Sequence, residues 1–249
     1  MKAMVLAAGF GTRLKPWTDS HPKALVPVAG VPMLERVLKR LENELFDTVI
    51  VNVHHFAGQI FDFLNQYSSD MRIEISDESS EILDTGGGLL RAYETFCDDS
   101  SALLVHNVDI LSDAPLEKIY KFHEESENDV TLLTSDRNSS RALVFDNGGM
   151  LRAWHDRKNM IYRPDDFIMD TGFHCSSFSG IYVVGKKAVE KMRDFSEQRQ
   201  SDVFPIMDFL IWAKDQLKIG EIKMPDLNLI DIGKPDTLKR ADVLGSKFV

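Results

Sequence analysis

The sequence predicts an α/β fold with a central, mostly parallel (mixed) sheet flanked by helices. Short apolar runs that suit buried strands alternate with amphipathic helical patterns along the 249 residues, which is typical of strands joined by crossover helices. Two glycines follow the first apolar run directly, and an acidic residue ends each of two later runs. Open α/β sheets bind their ligands at such strand ends.

Hydrophobic periodicity and Gly, Pro and Asn turn signals define the predicted elements. Residues 4–8 form the first strand, because they are a continuous apolar run of strand length. Further strands are predicted at residues 47–53, 71–76, 101–106, 130–134, 142–145, 150–154, 178–184 and 219–224. Helices are predicted at residues 32–45, 56–67, 89–96, 116–125, 188–195, 203–217 and 236–244. Residues 155–174 have no clear periodicity, which favours a lid or a ligand-side loop over a linker.

The charge distribution favours a small anionic ligand. The net charge of −10 argues against nucleic acid as a partner, because no basic stripe offsets it. Residues 1–25 are an exception, with four Lys or Arg against one Asp, and such a cationic lobe suits an anion. The chain has no apolar run of about 18 residues, and its N-terminal apolar run is too short for a secretion signal, so we expect a cytoplasmic protein without a membrane segment.

The glycines after the first strand predict a phosphate-binding loop. Gly9 and Gly11 allow backbone N–H groups to approach an anionic oxygen, while Arg13 and Lys23 supply the charge that a triphosphate needs neutralised. A dinucleotide-binding loop fits poorly, because Leu14 stands where its third glycine would be. A Walker-type loop is absent from the sequence. An ordinary glycine turn between a strand and a loop remains the alternative.

Three consecutive glycines mark a second candidate contact. Gly86 to Gly88 precede the predicted helix 89–96, and glycines there are costly unless something flat approaches the backbone. A nucleobase is such an object. A flexible start of the helix explains the same pattern equally well.

The acidic strand ends predict a metal site. Asp109 follows the apolar run 101–106, and a carboxylate at such a position is expensive unless it is exposed or paired with a cation. Mg²⁺ fits, since it is bound by one or two carboxylates together with phosphate oxygens. The alternative is an aspartate that caps the next turn. Asp231, between two isoleucines and ahead of a glycine, repeats the pattern.

The string AAGFGTRL followed by PKALVPVAG, within residues 7–30, closely resembles the signature of the sugar-1-phosphate nucleotidyltransferase family, the nucleoside diphosphate-sugar pyrophosphorylases. The resemblance implies a Rossmann-like nucleotidyltransferase fold in which the glycine loop wraps the nucleotide phosphates. It implies catalytic roles for Arg13 and Lys23. The implied nucleotide contacts are Ala7, Ala8, Gly9, Gly11, Thr12, Arg13, Lys23, Glu78, Thr85, Gly86 and Asn107.

Four shorter elements extend the resemblance. Residues 83–87 resemble the family's Leu-x-Thr-Gly-Gly element that recognises the base. The family's Asn-Gly-Asp element places a metal-binding aspartate at Asp109, with Val108 in place of the usual glycine. Its Trp-x-Asp-x-Gly-Thr-Pro element places the second metal-binding aspartate at Asp231. Ser179 and Gly180 match the small residue and glycine of an Asn-Ala-Gly-Ile-Tyr strand that contacts the sugar.

The sequence departs from the family at two further positions and in one stretch. Leu229 stands where an aromatic residue is usual, and Lys234 stands where threonine is usual. No part of residues 155–174 matches the Glu-Lys-Pro element that holds the sugar phosphate in many relatives. No residue of this stretch is therefore assigned to the sugar phosphate.

The resemblance implies an Mg²⁺-dependent enzyme that joins a nucleoside triphosphate and a sugar 1-phosphate and releases pyrophosphate. UTP and N-acetylmuramate 1-phosphate are the favoured pair, and guanylyl transfer to mannose or heptose 1-phosphate is the alternative. A non-catalytic protein that binds nucleotide or sugar phosphate is the rival class, and a dinucleotide-binding dehydrogenase fits least. We expect one domain over residues 1–249, with the nucleotide part at about 1–110, the sugar-phosphate part at about 111–249, and no C-terminal repeat domain.

Overall fold

The computed structural model of the protein describes residues 1–98 and 101–244. The strands are β1 (Lys2–Leu6), β2 (Pro27–Val28), β3 (Val31–Pro32), β4 (Thr48–Val53), β5 (Arg72–Asp77), β6 (Leu103–Asn107), β7 (Ile110–Ser112), β8 (Val130–Ser135), β9 (Arg141–Asp146), β10 (Leu151–Asp156), β11 (Ile161–Arg163), β12 (Phe173–Val184), β13 (Ile219–Lys223) and β14 (Leu229–Asp231). The helices are α1 (Met33–Asn43), α2 (Ala57–Gln66), α3 (Asp84–Phe96), α4 (Leu116–Glu125), α5 (Lys186–Arg199), α6 (Ile206–Ala213) and α7 (Pro235–Leu244).

The central sheet is mixed, and its two halves differ in strand direction. Strands β5, β4, β1 and β6 are neighbours in that order and are all parallel. Strand β12 then runs antiparallel to β6 and pairs with β8 on its other side. The first part of β12 also pairs with β9, which begins the antiparallel series β9, β10 and β11. The predicted α/β fold with a mixed central sheet flanked by helices is confirmed.

Strand β1 shows how both faces of this sheet are buried. Ala3 and Val5 belong to a core that includes side chains of α1, α2 and α4. Met4, between them, belongs to a second core with α3, α5 and α6. All three side chains are fully buried, as expected for a parallel strand covered by helices on both sides. Burial of one large apolar side chain such as Met4 stabilises the fold by about 1.5–3 kcal/mol.

A short antiparallel ladder brings the C-terminal segment to the end of β6. Strand β14 pairs with β7 so that Asp231 lies opposite Ile110. The backbone N–H of Ile232 also donates to the carbonyl of Asp109 at 3.0 Å. The two aspartates of the sequence analysis therefore lie on adjacent backbone segments, although 122 positions separate them (231 − 109).

Helix α3 corrects the prediction that the helix starts at Leu89. It begins at Asp84 and contains all three glycines, because they allow a close contact with the segment before α6. The N–H groups of Gly86 and Gly87 donate to the carbonyl of Phe204 at 2.9 and 3.2 Å. A Cβ on Gly87 would lie 1.9 Å from the carbonyl oxygen of Asp202. Packing against residues 202–204 therefore accounts for these two glycines without a flat ligand.

Other predicted elements also differ in their bounds, and the structure gives a physical reason for two of them. Helix α6 begins at Ile206, later than predicted, because Pro205 precedes it and the N–H of Phe204 donates to the carbonyl of Leu83. Strand β12 begins at Phe173, earlier than predicted, because its first residues pair with β9. None of the helices in residues 1–98 and 101–244 combines the length and the apolar composition needed to cross a bilayer.

Candidate functional site

Two cavities adjoin at the carboxyl ends of β1, β4 and β6. The first cavity, of about 430 Å³, is lined by Leu6, Ala7, Ala8, Gly9, Phe10, Lys23, Asn52, Glu78, Ile82, Asp84, Thr85, Asn107, Val108, Asp109 and Val203. The second cavity, of about 550 Å³, is lined by Arg13, Asn107, Asp109, Ile110, Arg137, Ser139, Arg141, Ala142, Leu143, Trp154, Arg163, Phe178, Ser179, Gly180, Pro205, Met207, Asp208 and Asp231. Asn107 and Asp109 line both cavities, so the two form one continuous site.

Gly11 places the glycine loop against the stem of Lys23. Its φ of 63° is in the left-handed region that glycine adopts without strain. A Cβ on Gly11 would lie 2.8 Å from Cβ of Lys23 and 2.9 Å from Cγ2 of Thr18. The hydroxyl of Thr18 donates to the carbonyl of Gly11 at 3.0 Å and fixes this contact. Gly11 therefore acts behind Lys23 and does not line the first cavity.

Lys23 and Asp109 form an ion pair where the two cavities meet. Nζ of Lys23 donates to Oδ2 of Asp109, and each side chain is only 14% exposed. Charges this far removed from water need such a partner. Val108, which precedes the aspartate, is buried in the apolar core. Its N–H donates to the carbonyl of Leu6 at 3.2 Å, so valine is accommodated at this position while Asp109 still lines both cavities.

A buried hydrogen-bond network forms the floor of the first cavity. The carboxylate of Glu78 is fully buried and accepts from Nδ2 of Asn52 at 2.8 Å and from the N–H of Leu83 at 3.1 Å. Oδ1 of Asn52 accepts from the N–H of Ala7 at 2.7 Å. A buried polar network whose members are all bonded is rigid. Sequence reasoning missed Asn52, although a polar residue inside the apolar run of β4 was a usable signal.

Arg13 and Asp231 converge over Gly233. A Cβ on Gly233 would lie 2.6 Å from Nη2 of Arg13 and 2.8 Å from Oδ1 of Asp231. The N–H of Gly233 donates to that same carboxylate oxygen at 2.8 Å. Arg13 is exposed and lies in the 3-10 helix Thr12–Leu14 that follows the glycine loop. The structure therefore brings Arg13, Asp231 and Asp109 to one cavity, as their candidate roles require.

Ser179 and Gly180 lie in a bulge of β12 that admits the side chain of Asn107. The register of β12 against β8 shifts between Phe178 and Tyr182. Gly180 has a φ of 81°, and a Cβ there would lie 2.8 Å from Nδ2 of Asn107. A bulge of this kind re-aims the side chains next to a site. The hydroxyl of the fully buried Ser179 accepts from the N–H of Ile181 at 3.1 Å.

Sequence reasoning also missed most of the second cavity's cations. Nη2 of Arg163 forms an ion pair with Oδ1 of Asp208 at 2.7 Å. The guanidinium groups of Arg141 and Arg163 lie 6.0 and 5.8 Å from the ring centre of Trp154, within cation–π range. Arg137, which lies two residues after the end of β8, is the remaining one of these cations in the lining of the second cavity. No recognisable motif marks any of these residues in the sequence.

Three of the predicted nucleotide contacts line neither of these cavities: Gly11, which lies behind Lys23, and also Thr12 and Gly86. Thr12 is exposed in its 3-10 turn. Gly86 is buried, and its N–H donates to Phe204 rather than into the first cavity. The neighbouring Thr85 does line the first cavity, and its hydroxyl also accepts from the N–H of Ile206 at 2.9 Å.

Parts of the chain are similar in sequence to two named sugar-1-phosphate nucleotidyltransferases. A stretch of 93 residues, 36% of this chain and 38% of the relative, is 46% identical to an N-acetylmuramate alpha-1-phosphate uridylyltransferase of Caulobacter vibrioides. Over 209 residues, 82% of this chain and 55% of the relative, it is 31% identical to mannose-1-phosphate guanylyltransferase 1 of Arabidopsis thaliana. The matches thus span 38% and 55% of the lengths of these two relatives.

Solved structures show the same fold. The crystal structure of HddC from Yersinia pseudotuberculosis complexed with GMP-PN matches with a TM-score of 0.74 and 22% identity, covering 100% of this chain and 99% of that one. A putative glucose-1-phosphate thymidylyltransferase from Bacillus anthracis, in complex with a sucrose, matches with a TM-score of 0.78 and 16% identity over 98% and 94% of the two chains. Residues 2–144, more than half of the chain, match the family model described as nucleotidyl transferase. This chain belongs to the nucleotidyl transferase family.

Proposed function

We propose that this protein transfers a nucleotidyl group from a nucleoside triphosphate to a sugar 1-phosphate. The observation that carries the proposal is that Asn107 and Asp109 line both cavities. A ligand in each cavity would have its phosphates meet at this junction, beside Lys23 and within the cavity that Arg13 also lines. The site thus has room for two anionic reactants and cations to neutralise both.

The reaction balances without a protein nucleophile. An oxygen of the sugar 1-phosphate attacks the α-phosphorus of the triphosphate in line with the leaving group. The bond between the α-phosphorus and the oxygen that bridges it to the β-phosphate breaks, so pyrophosphate leaves and a nucleoside diphosphate sugar remains. Such a transfer depends on positioning and on charge stabilisation, which the site residues supply.

The residues take distinct roles in this proposal. Lys23 neutralises the α-phosphate, and Arg13 stabilises the charge that builds on the pyrophosphate. Glu78 and Thr85 lie on the side of the first cavity that would receive the nucleoside. Gly180 lies on the sugar side, in the second cavity. Removal of one such stabilising group typically costs about 2–4 kcal/mol in the transition state.

The two aspartates fit a magnesium site. Asp109 and Asp231 line the same cavity from adjacent strand segments, and Mg²⁺ is bound by one or two carboxylates with phosphate oxygens filling other positions. Among residues 1–98 and 101–244 no group of three or more His, Cys, Asp or Glu forms a metal cluster, so phosphate and water oxygens would complete the coordination. Bound there, the metal would reduce the repulsion between the two phosphates.

UTP and N-acetylmuramate 1-phosphate are the proposed substrates. The 46% identity to the Caulobacter vibrioides uridylyltransferase supports this pair. That match covers 93 residues. Guanylyl transfer to mannose or heptose 1-phosphate is the second candidate, and the 31% identity over 209 residues to the Arabidopsis thaliana guanylyltransferase supports its mannose form.

Pyrophosphate release tests the proposal. The assay crosses UTP, GTP, CTP, dTTP and ATP with a panel of sugar 1-phosphates in the presence of Mg²⁺. We expect release with UTP and N-acetylmuramate 1-phosphate, and release with another pair would keep the reaction but change the substrates. No release with any pair, while triphosphate binding is still detected, would contradict the enzyme and favour a non-catalytic binding protein.

A further inference from the structure

Arg137 is held at the edge of the second cavity by two backbone contacts. It follows β8, at the carboxyl end of that strand, beside the bulge of β12. Its carbonyl accepts from the hydroxyl of Ser177 at 2.7 Å. Its own Nη2 donates to the carbonyl of Phe178 at 2.7 Å. These contacts fix both the backbone and one edge of the guanidinium, so the group is held in one orientation.

The charge of Arg137 lacks a close acidic partner. Its Nε is buried and has no hydrogen-bond acceptor. In the described part of the chain, carboxylates form ion pairs with Arg163 and Arg152 at 2.7 Å, whereas none does so with Arg137. Burial lowers the pKa of this guanidinium, and the Asp231 carboxylate acts in the opposite direction. A half-buried cation with a buried, unsatisfied N–H costs stability.

The charge of the Arg137 guanidinium calls for an anion, and the position of Arg137 in the second cavity indicates which one. Arg137 does not line the first cavity, where Lys23 lies. It lines the second cavity together with Asp109 and Gly180, and its Nη2 anchor is the carbonyl of Phe178 on the same bulge. An arginine binds a phosphate through two parallel N–H···O bonds, which fixes orientation as well as charge.

We propose that Arg137 binds the phosphate group of the sugar 1-phosphate and positions its attacking oxygen at the junction of the two cavities. This inference rests on the proposed function, since it assigns the acceptor phosphate of that reaction. It makes Arg137 a binding residue for the acceptor substrate. Lys23, in the first cavity, and Arg13, which lines the second cavity together with Arg137, then serve the triphosphate.

Three variants test the assignment. Arg137→Met removes the charge and keeps an apolar stem, and Arg137→Lys keeps a charge without the two-pronged geometry. Arg157→Met is the matched control, because Nη1 of Arg157 donates to the carbonyl of Ser139 at 3.2 Å in the same loop, while Arg157 lines neither cavity. Each variant is assayed for the KM of each substrate and for its melting temperature with and without ligand.

We expect Arg137→Met to raise the KM for the sugar 1-phosphate about 10- to 100-fold, as for the loss of a charged hydrogen bond. The KM for the triphosphate should stay within about twofold, and Arg137→Lys should recover part of the loss. The melting temperature without ligand should stay the same or rise, because a half-buried cation without an acidic partner among the described residues has been removed. A merely structural arginine would lower it. Arg157→Met should keep both KM values.

Other outcomes overturn the assignment. A fall of several degrees in melting temperature with an unchanged KM for the sugar 1-phosphate would show a structural role. A rise confined to the KM for triphosphate, or for pyrophosphate in the reverse reaction, would place a different phosphate at Arg137.

Binding measurements separate this inference from the proposed reaction. The probes are N-acetylmuramate 1-phosphate and mannose 1-phosphate, each added alone to the full chain in calorimetry. If the native protein binds a probe but releases no pyrophosphate, the reaction fails, and a loss of binding in Arg137→Met still supports Arg137. If turnover is normal and Arg137→Met binds as the native protein does, only Arg137 is wrong. If the native protein binds neither these probes nor any other sugar 1-phosphate of the panel, both the reaction and the role of Arg137 are overturned.

Discussion

The first and second cavities meet at Asp109 but hold their polar groups in different ways. In the first cavity, the fully buried Glu78 is bonded to Asn52 and to the N–H of Leu83 before any ligand arrives. In the second cavity, Arg137 keeps a buried Nε without an acceptor. The Glu78 carboxylate in the first cavity thus has its hydrogen bonds in the protein alone, whereas Arg137 in the second cavity still has an unsatisfied donor.

This difference follows from how each cavity is built. The first cavity lies at the ends of parallel strands β1, β4 and β6, whose loops supply most of its lining. The second cavity is assembled from a bulge in β12, the antiparallel strands β9 to β11 and the distant strand β14. A cavity assembled from separate segments can change its lining without disturbing the first cavity. We therefore expect specificity for the sugar to depend on the second cavity.

Loss of either aspartate should have the largest effect. Asp109→Ala and Asp231→Ala should each lower kcat by about 10²–10³, because each removes a charge held at the reacting phosphates. Excess Mg²⁺ should not restore it fully. Of these two aspartates, Asp109 lines both cavities and Asp231 lines the second. Asp109→Ala should therefore raise the KM of both substrates, whereas Asp231→Ala should act mainly on the sugar 1-phosphate. Asp165, which is exposed and lines neither cavity, provides the control Asp165→Ala.

Loss of the exposed Arg13 should affect turnover but not the fold. Arg13→Ala should lower kcat by about 10²-fold through loss of charge stabilisation on the leaving pyrophosphate, with an unchanged melting temperature. Lys15→Ala is the control, since Lys15 is exposed nearby, pairs with Asp19 at 2.9 Å and lines neither cavity. A near-normal kcat for Arg13→Ala would mean that the glycine loop is not the phosphate site.

A pair of glycine variants tests the wall between α3 and the segment before α6. Gly87→Ala should lower the free energy of unfolding by about 1–3 kcal/mol, because its Cβ would lie 1.9 Å from the carbonyl oxygen of Asp202. Gly58→Ala, in α2, meets no atom within 4 Å and should raise it by about 0.4–1 kcal/mol. Urea unfolding measures both values. Equal stability of Gly87→Ala and the native protein would contradict the close contact.

The pH dependence of stability tests two buried histidines of the core, which lie outside both cavities. Burial lowers the pKa of His106, on β6, to about 3, and that of His123, on α4, to about 4, from an ordinary 6.5. The unfolded chain therefore takes up protons first as the pH falls, so stability should decline from pH 6.5 towards 4 for His123 and towards 3 for His106. Each histidine should contribute up to about 1.4 kcal/mol per pH unit within its window.

Urea unfolding between pH 7.5 and 4.5 measures this slope. His123→Asn should reduce the slope of the unfolding free energy against pH by up to about 1.4 kcal/mol per pH unit, because asparagine does not titrate. Neither histidine lines the two cavities, so the pH dependence of kcat should be unchanged in this variant. The same slope in the native protein and in His123→Asn would show that His123 does not remain neutral in the fold.

The parts of the site that depend on residues close together in the sequence were predictable from the sequence. Gly9 and Lys23 lie in one stretch of about 20 residues, and Asp109 ends an apolar run, so local pattern alone marks them as candidates. Helix α4 has the predicted bounds, Leu116–Glu125, because its apolar residues recur at helical spacing. The family model likewise matches residues 2–144, which include most of the first cavity.

The parts that depend on tertiary contacts were not predictable. Nothing in the local sequence indicates that Gly87 faces the carbonyl of Asp202, so a flat ligand and a flexible helix start remain equal explanations of the pattern at that stage. Arg137 is a single cation after a strand, and its missing partner is visible only once Phe178 and Ser177 are in place. The bulge at Gly180 likewise has meaning only beside the side chain of Asn107.

The most direct test of the central claim follows the α-phosphate of the triphosphate. The native protein is incubated with Mg²⁺, N-acetylmuramate 1-phosphate and UTP labelled with ³²P at the α-phosphorus, and the products are separated. If the two reactants meet at Asp109 as proposed, the label moves entirely into a nucleoside diphosphate sugar, with one unlabelled pyrophosphate released for each molecule formed. Label found only in free UMP or in unreacted UTP, across the panel of sugar 1-phosphates and with each other triphosphate labelled in the same way, would contradict transfer between the two cavities.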